Sequence, residues 1–183
     1  MGQAIMKEAI GKVTRGESLN KQEAREVMKM IMEGEATPAQ IGALLIAMRM
    51  KGETVQEIAG FAEMMREKAI PLQHNKKGVL DTCGTGGTGI RKFNISTTSA
   101  IISASLGVPV AKHGNRAMSG KSGSADVLEA LGVNIAIDQE QAARCLEDID
   151  ICFMFAQKYH PSMKHAAGPR KEIGIRTIFN VLG

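Results

Sequence analysis

The chain has little aromatic character, with no tryptophan, one tyrosine and five phenylalanines among its 183 residues. Proteins that bind single-stranded nucleic acid stack the bases on aromatic side chains, so a base-stacking platform is not expected here. The net charge of +4 suits an anionic ligand but is too small to require nucleic acid as a partner.

Cysteines and long apolar segments are also scarce. Cys83, Cys145 and Cys152 form no Cys-x-x-Cys pair, which argues against a disulfide framework or a zinc site. The longest apolar run, 41–48, is far shorter than the roughly 20 residues of a membrane-spanning helix. The N-terminus lacks the apolar core of a signal peptide, and Met6 breaks the myristoylation pattern. We therefore expect a cytoplasmic protein without a membrane partner.

The first 70 residues have the pattern of a small helical domain. Three helix starts carry cap signals: Asn20 with Glu23, Thr37 with Pro38, and Thr54 with Glu57. Apolar residues recur at helical spacing after each cap, and another helix is expected near 5–13. The polar segment 71–78 is expected to be a linker.

From residue 79 onward, strand-like and helix-like segments alternate. Strands are expected at 79–83, 108–111 and 151–156, loops at 84–89 and 112–123, and helices at 97–106, at 124–132 with Ser124 as cap, and at 138–149 with Asp138 as cap. This order predicts an α/β domain with a parallel sheet over 79–183. Residues 160–183 are expected to be helices that return toward the helical domain.

The glycine-rich segment 84–89 follows an expected strand, and its backbone can approach an anion closely. It matches the Gly-x-Gly-x-x-Gly pattern of dinucleotide-binding proteins, which place an acidic residue about 20 positions later. Here 108–113 is apolar and then basic, which argues against NAD. A tight turn without a ligand remains the alternative.

Two further segments offer groups for an anion. Residues 94–97 present an amide and hydroxyls at a helix start, where they bind phosphate or act as plain N-caps. Residues 112–116 place three basic side chains after the second expected strand, either for a polyphosphate or as a solvated loop. Asp126 and Glu129 share a helix face, an arrangement that is more often exposed than metal-binding.

Four segments carry a family resemblance: GTGG at 84–87, NIST at 94–97, KHGNRAMSGKSGSADVLEALG at 112–132, and RTIFNVLG at 176–183. In this order they resemble the anthranilate phosphoribosyltransferases. The resemblance implies an α + α/β architecture of the nucleoside phosphorylase/phosphoribosyltransferase kind, with a helical domain used for homodimerisation. It also implies transfer of the phosphoribosyl group from phosphoribosyl pyrophosphate to anthranilate, in tryptophan biosynthesis.

The resemblance further implies a set of site residues. Lys112 and Ser96 would be catalytic, and Ser96 would also contact Mg²⁺. Anthranilate would contact Gly84, Asn115 and Arg170, near Tyr159 and His160. Phosphoribosyl pyrophosphate would contact Gly87, Thr88, Lys92, Asn94, Ile95, Ser96, Thr97, Lys112, His113, Gly114, Asn115, Arg116, Ala117, Met118, Ser119, Gly120 and Ser124.

The chain departs from the family pattern at two positions and lacks one element. Thr88 stands where the family has Asp, and Lys92 stands where it has Thr. The Asp-Glu pair that holds Mg²⁺ in the family is absent, so we expect a fragment or half of a split enzyme, inactive without a separate C-terminal half. Salt-dependent DNA binding would instead indicate a catalytically silent relative that binds nucleic acid or another anion. Activity with thymidine and phosphate would indicate a pyrimidine nucleoside phosphorylase.

Overall fold

The computed structural model describes residues 2–84, 93–117 and 122–182, which form two compact units. The helical unit comprises Met1–Ala69 and His160–Gly183, and the α/β unit comprises Ile70–Tyr159. The expected linker 71–78 clusters with the α/β unit, where Leu72 packs against the core and the Asn75 amide donates to Glu147 (2.6 Å). In the described part of the chain, no helix is both long enough and apolar enough to cross a bilayer.

The helical unit is built from helices whose starts are fixed by side-chain caps. Its elements are α1 (Gly2–Thr14), α2 (Lys21–Glu33), α3 (Pro38–Lys51), α4 (Val55–Glu67) and α9 (Lys164–Ile173), with 3₁₀ turns at Pro161–Met163 and Ile178–Asn180. All three predicted caps are confirmed, since the side chains of Asn20, Thr37 and Thr54 each accept from the amide three residues later. Each side chain satisfies an amide that the first helical turn leaves without a partner.

The core of the helical unit combines both segments of the chain. Met28 and Ile31 of α2, Leu44 of α3 and Phe61 of α4 are fully buried in one apolar cluster. Ala166 of α9 and the Ile178–Asn180 turn, through Ile178 and Phe179, join the same cluster. Methionine is abundant in this core because its flexible side chain fills irregular space.

A buried ion pair connects two loops of the helical unit. The Glu57 carboxylate is fully buried and accepts from the amides of Leu19 (2.9 Å) and Thr54 (2.7 Å) and from Lys51 Nζ (2.9 Å). Burial opposes ionisation of Glu57, but these hydrogen bonds outweigh it and lower the pKa of the carboxyl. The pair fastens the turn before α2 to the turn before α4.

The α/β unit contains a short parallel sheet flanked by helices. Its elements are α5 (Ile95–Ser105), β1 (Val110–Gly114), α6 (Ser124–Ala130), α7 (Gln139–Ile149), β2 (Ile151–Phe155) and α8 (Ala156–Tyr159). β1 and β2 pair in parallel from Val110↔Ile151 to Gly114↔Phe155. Phe153 packs on one face of β2 with Ala125 and Leu128 of α6, while Cys152 and Met154 pack with α7 in a second cluster.

The expected strand 79–83 is wrong, because the structure has only a single bridge there, from Leu80 to Val110. Leu80 exchanges backbone hydrogen bonds with Pro109 (2.8 Å) and Ala111 (3.0 Å). The next amide of β1, that of His113, donates to the Asp81 side chain instead of a backbone carbonyl (3.2 Å). The side chain of Asp81 therefore ends the ladder after one bridge.

Three other boundaries differ from the expectation. β1 begins at Val110 and continues through Lys112, His113 and Gly114, which had been assigned to a loop. α5 begins at Ile95, two residues earlier than predicted. α6 has Gly123 as its N-cap and Ser124 as its first residue, and it ends at Ala130. The α7 cap at Asp138 is confirmed.

Candidate functional site

An acidic residue joins the ends of two segments at the carboxyl edge of the sheet. Asp81 accepts from the amides of His113 (3.2 Å) and Cys83 (2.9 Å), and its second oxygen lies 3.0 Å from His113 Nδ1. Burial opposes ionisation of Asp81, but the His113 and Cys83 hydrogen bonds outweigh it and lower the pKa of the carboxyl. Asp81 thus fixes the chain before the glycine-rich segment against the end of β1.

Lys112 is a buried cation at the same edge. Its side chain is 4% exposed, and Nζ donates to the carbonyl of His113 (3.2 Å). Burial lowers the pKa of this ammonium, and its neighbours Cys83 and Asp81 oppose the shift only in part. Within the described residues Lys112 forms no ion pair with a carboxylate, so an anionic ligand would compensate its charge.

The start of α5 adjoins these residues through Thr82, whose hydroxyl donates to the carbonyl of Ser96 (2.8 Å). Asn94 is the N-cap residue, and its side chain makes no cap hydrogen bond. Ser96 and Thr97, the residues expected as alternative N-caps, are instead the second and third residues of α5. Thr97 is buried, and its hydroxyl has no partner among the described residues. Ile95 is largely exposed. The first turn of α5 therefore keeps polar groups that a phosphate could use.

The segment after β1 runs back against the start of α6. The Asn115 carbonyl accepts from the Ala125 amide (3.2 Å) and from the Ser124 hydroxyl (3.5 Å). At Gly114, a Cβ atom would overlap Ser124 Oγ and the ring of Phe153, so only glycine fits. Sequence reasoning assigned these residues to one ligand site, and the structure places Asn115 beside Ser124.

Arg116 already has partners within the chain. Its guanidinium donates to Glu129 (2.7 and 3.0 Å) and to Asp126 (3.3 Å) and lies 5.9 Å from the centre of the Phe155 ring. The hydrogen bonds that Arg116 donates, first to Glu129 and then to Asp126, raise the pKa of Arg116 further above its usual range. The expected role of Arg116 as a phosphate ligand stays a prediction, whereas its pairing with α6 is present in the structure.

Arg170 and Tyr159 belong to different units. In the helical unit, the Arg170 guanidinium lies 5.0 Å from the centre of the Phe179 ring and has no ion pair in the part of the chain that is described. Burial lowers the pKa of Arg170. In the α/β unit, Tyr159 packs edge-on against His113, at 5.9 Å between ring centres, and burial raises its pKa to about 12. His160 lies in the helical unit, and Gly84 lies in the α/β unit.

Several predicted site residues cannot be placed. Gly87, Thr88, Lys92, Met118, Ser119 and Gly120 lie outside the described residues. Both departures from the family pattern, at positions 88 and 92, are in this group.

Ser96 is compatible with a magnesium ion that arrives with a phosphate. The residues that the structure describes include no group of three His, Cys, Asp or Glu side chains able to hold a metal. Mg²⁺ binds oxygen, keeps several waters and is often held largely by substrate phosphates. A hydroxyl at the start of α5 fits one position of such an ion.

Sequence reasoning missed two carboxylates and one hydroxyl: Asp81, Thr82 and Asp126 as groups that shape the site. Asp81 could have been found as an acidic residue directly after an expected strand. Asp126 could have been found as the third helical residue after a glycine N-cap, a position that favours Asp or Glu. The partner of Thr82 is a backbone carbonyl, which leaves no signal in the sequence.

Two domains of one protein family match the chain. The helical bundle domain of a glycosyl transferase family matches residues 7–69, and the α/β domain of the same family matches residues 76–183. The two matches follow the order of the helical and α/β segments described above.

Curated relatives and solved structures agree with this assignment. The anthranilate phosphoribosyltransferase of Shouchella clausii is 58% identical over 98% of this chain and 52% of its own length. The crystal structure of the enzyme from Thermus thermophilus has a TM-score of 0.89 at 46% identity, over 96% of this chain and 53% of its own. The Saccharomyces cerevisiae enzyme in complex with phosphoribosyl pyrophosphate and Mg has a TM-score of 0.89 at 25% identity, over 98% and 54%.

This chain spans about half the length of the curated relatives that it matches. The resemblance to anthranilate phosphoribosyltransferase and the predicted α + α/β fold class are confirmed. The chain belongs to the glycosyl transferase family that combines a helical bundle domain with an α/β domain.

Proposed function

We propose that this chain supplies the phosphoribosyl pyrophosphate site of an anthranilate phosphoribosyltransferase. The observation that carries the proposal is Lys112, a buried ammonium on β1 with no carboxylate partner among the described residues. A buried cation is stable when a ligand supplies the opposite charge. The similarity to relatives with this activity, one of them in complex with phosphoribosyl pyrophosphate and Mg, supports the same conclusion.

In the proposed reaction, the bond between the anomeric carbon of the ribose and pyrophosphate breaks while the anthranilate amine attacks that carbon. The new C–N bond leaves one excess proton on the nitrogen, which the nitrogen releases to solvent. Negative charge grows on the departing pyrophosphate. Lys112 Nζ neutralises part of this charge, and the amides at the start of α5 add to the effect. Asn94 and Ser96 orient the phosphates, so that positioning and charge neutralisation supply most of the rate.

A magnesium ion bound with the pyrophosphate would neutralise further phosphate charge. We assign Ser96 to this ion, because its hydroxyl is an oxygen ligand in the first turn of α5, at the N-terminal end of the helix. The relative from Saccharomyces cerevisiae is in complex with phosphoribosyl pyrophosphate and Mg, which supports a magnesium ion bound together with this substrate.

We assign the anthranilate carboxylate to Arg170. A guanidinium offers two parallel N–H donors that match the two oxygens of a carboxylate. Arg170 has lost part of its hydration, and within the described residues no acidic side chain pairs with it. Asn115 and Gly84 stay assigned to the same substrate from the family resemblance.

We also propose a cytoplasmic homodimer. The three cysteines are free thiols, which fits a reducing compartment. A groove of about 450 Å³ lies between α1 and α3, lined mainly by apolar side chains that include Val13, Ala43, Ile46 and Met50. Met50 is 83% exposed beside this groove. A second copy of the chain would cover this apolar surface.

Calorimetric titration of the chain with phosphoribosyl pyrophosphate and Mg²⁺ tests the proposal. We expect saturable binding, and Lys112→Met should weaken it about 10- to 100-fold because a charge-assisted contact is lost. Lys77→Met, which removes an exposed lysine of the same unit, should change the affinity by less than about twofold. An affinity of Lys112→Met equal to that of the unmodified chain would refute the role of Lys112.

A further inference from the structure

The loop between β1 and α6 is closed by a neck, which consists of Asn115, Ala117, Gly123 and Ser124. The Asn115 carbonyl accepts from the Ser124 hydroxyl and the Ala125 amide, which holds the outgoing chain against the start of α6. The neck therefore joins the segment after β1 to the start of α6.

The two sides of the neck touch through their backbones. A Cβ atom on Gly123 would come within 2.6 Å of Ala117 N and of the Asn115 carbonyl oxygen. These are backbone atoms, which cannot rotate away as a side chain can, so only glycine allows the two backbone segments to come this close.

One carboxylate oxygen joins both sides of the neck. Asp126 Oδ2 accepts from the Ala117 amide (2.9 Å) and from the Gly123 amide (2.7 Å). The other oxygen accepts from Arg116 Nη1 (3.3 Å). Asp126 therefore accepts hydrogen bonds from three residues between β1 and α6. These hydrogen bonds, with that from Gly123 foremost, lower the pKa of Asp126 and keep it ionised at neutral pH.

Glu129, one helical turn further, provides an internal comparison. It binds the same guanidinium of Arg116 through two hydrogen bonds, but among the described contacts it accepts from neither neck amide. Loss of Glu129 therefore removes one of the two ion pairs of Arg116 and leaves both neck amides their acceptor, whereas loss of Asp126 takes the acceptor from both amides.

We propose that Asp126 is a positioning residue for phosphoribosyl pyrophosphate: it closes the neck and thereby holds Asn115 and Ser124 in place for the ligand. This inference rests on the proposed function. Asp126 acts through the backbone and does not itself contact the substrate, because a carboxylate next to a pyrophosphate would be repelled. Its role separates it from the cations Lys112 and Arg170, which are assigned direct contacts.

The test is a calorimetric titration of three variants with inorganic pyrophosphate and Mg²⁺. Asp126→Ala should lower the affinity about tenfold, because both neck amides lose their acceptor. Asp126→Asn should restore part of it, since the carboxamide oxygen can still accept both amides. Glu129→Gln should bind like the unmodified chain. Equal losses in Asp126→Asn, Asp126→Ala and Glu129→Gln would instead assign the effect to the Arg116 ion pair and overturn the proposal.

Amide hydrogen exchange separates failure of this inference from failure of the proposed function. Slow exchange at Ala117 and Gly123 that becomes fast in Asp126→Ala, but not in Glu129→Gln, shows the neck without any ligand. If the unmodified chain binds no pyrophosphate, the proposed function fails, and so does the ligand role of Asp126. If it binds pyrophosphate and Asp126→Ala binds equally well, only the inference fails. Fast exchange at Ala117 and Gly123 in the unmodified chain would overturn the inference even where Asp126→Ala does not fold.

Discussion

Gly114 is the last residue of β1, and its environment allows no side chain. A methyl group there would overlap Ser124 Oγ and the aromatic ring of Phe153, which lies on the neighbouring strand. We expect Gly114→Ala to lower the free energy of unfolding by about 1–3 kcal/mol, as overpacking of a core does. Denaturant unfolding followed by circular dichroism would measure the change.

Gly42 provides the matched control for this substitution. It lies within α3, and a Cβ atom there would meet nothing within 4 Å. Gly42→Ala should leave stability unchanged or raise it by up to about 1 kcal/mol, because alanine favours the helix. If Gly114→Ala had the same free energy of unfolding as Gly42→Ala, the inferred overlap at Gly114 would be wrong.

Lys112 and Arg116 show how far residue type alone predicts a role. Both are basic residues of the same segment, and the sequence assigned both to phosphate. Lys112 is buried without an ion pair among the described residues, whereas Arg116 pairs with Asp126 and Glu129, which are 10 and 13 residues further along the chain. That pairing depends on how α6 packs beside β1, and the pattern of charges along the sequence does not show which residues this packing brings together.

At the scale of elements, helices of the first 70 residues were predictable and strands were less so. A capping box is a local signal, because the cap and its partner are three residues apart and need no tertiary contact. The strand expected at 79–83 failed because a side chain, Asp81, takes the amide that would have continued the ladder. Strand boundaries depend on partners far away in sequence, as in the pairing of Val110 with Ile151.

Glu57, which completes the capping box of α4 with Thr54, is also half of a buried ion pair, so its replacement should have a large effect on stability. Glu57→Gln leaves the Lys51 ammonium buried without its carboxylate and weakens the hydrogen bonds from Leu19 and Thr54. We expect a loss of about 3–5 kcal/mol in the free energy of unfolding. Glu26→Gln, in which an intrahelical contact with Gln22 is altered, should cost less than about 0.5 kcal/mol.

The same ion pair predicts a dependence on pH. The pKa of Glu57 is lower in the folded chain than in the unfolded chain, so its stabilising effect is complete above the unfolded pKa. The effect disappears as the pH falls through the lower, folded value. Denaturant unfolding at several acidic pH values would measure the free energy of unfolding, which should fall less steeply with decreasing pH in Glu57→Gln than in the unmodified chain. An equal dependence on pH in both proteins would contradict this assignment.

At the scale of the whole molecule, the sequence predicted the combination of helical and α/β architecture because the hydrophobic period changes along the chain. The sequence predicted that segments at 94–97 and 112–116 lie at the carboxyl edge of the sheet. Residues 112–114 belong to β1, and the Ser96 carbonyl accepts a hydrogen bond from Thr82, while the ligand roles stay predictions. Asp81, which binds the end of β1, and Asp126, which binds the segment after it, were not predicted, since each acts through backbone amides brought near by folding.

The proposed dimer gives a prediction at the same scale. Sedimentation should give about twice the chain mass of 19.6 kDa. Met50→Glu, which places a charge beside the groove between α1 and α3, should shift the population to the monomer. Val55→Glu is the control, because Val55 is similarly exposed but does not line that groove. Dissociation by Val55→Glu alone, or a monomeric unmodified chain, would exclude this interface.

The chain leaves the helical unit at residue 69 and rejoins it at residue 160, and the Ile70 amide donates to the Tyr159 carbonyl (2.9 Å) where the two crossings meet. This arrangement reverses the usual order of folding on the ribosome, in which N-terminal domains finish first. Helices α1–α4 emerge before Ala166, Ile178 and Phe179 exist to complete their core. At roughly 5–20 residues per second, synthesis of Ile70–Tyr159 takes on the order of ten seconds. For that interval the earliest part of the nascent polypeptide presents an unfinished apolar surface, so the α/β unit can fold first.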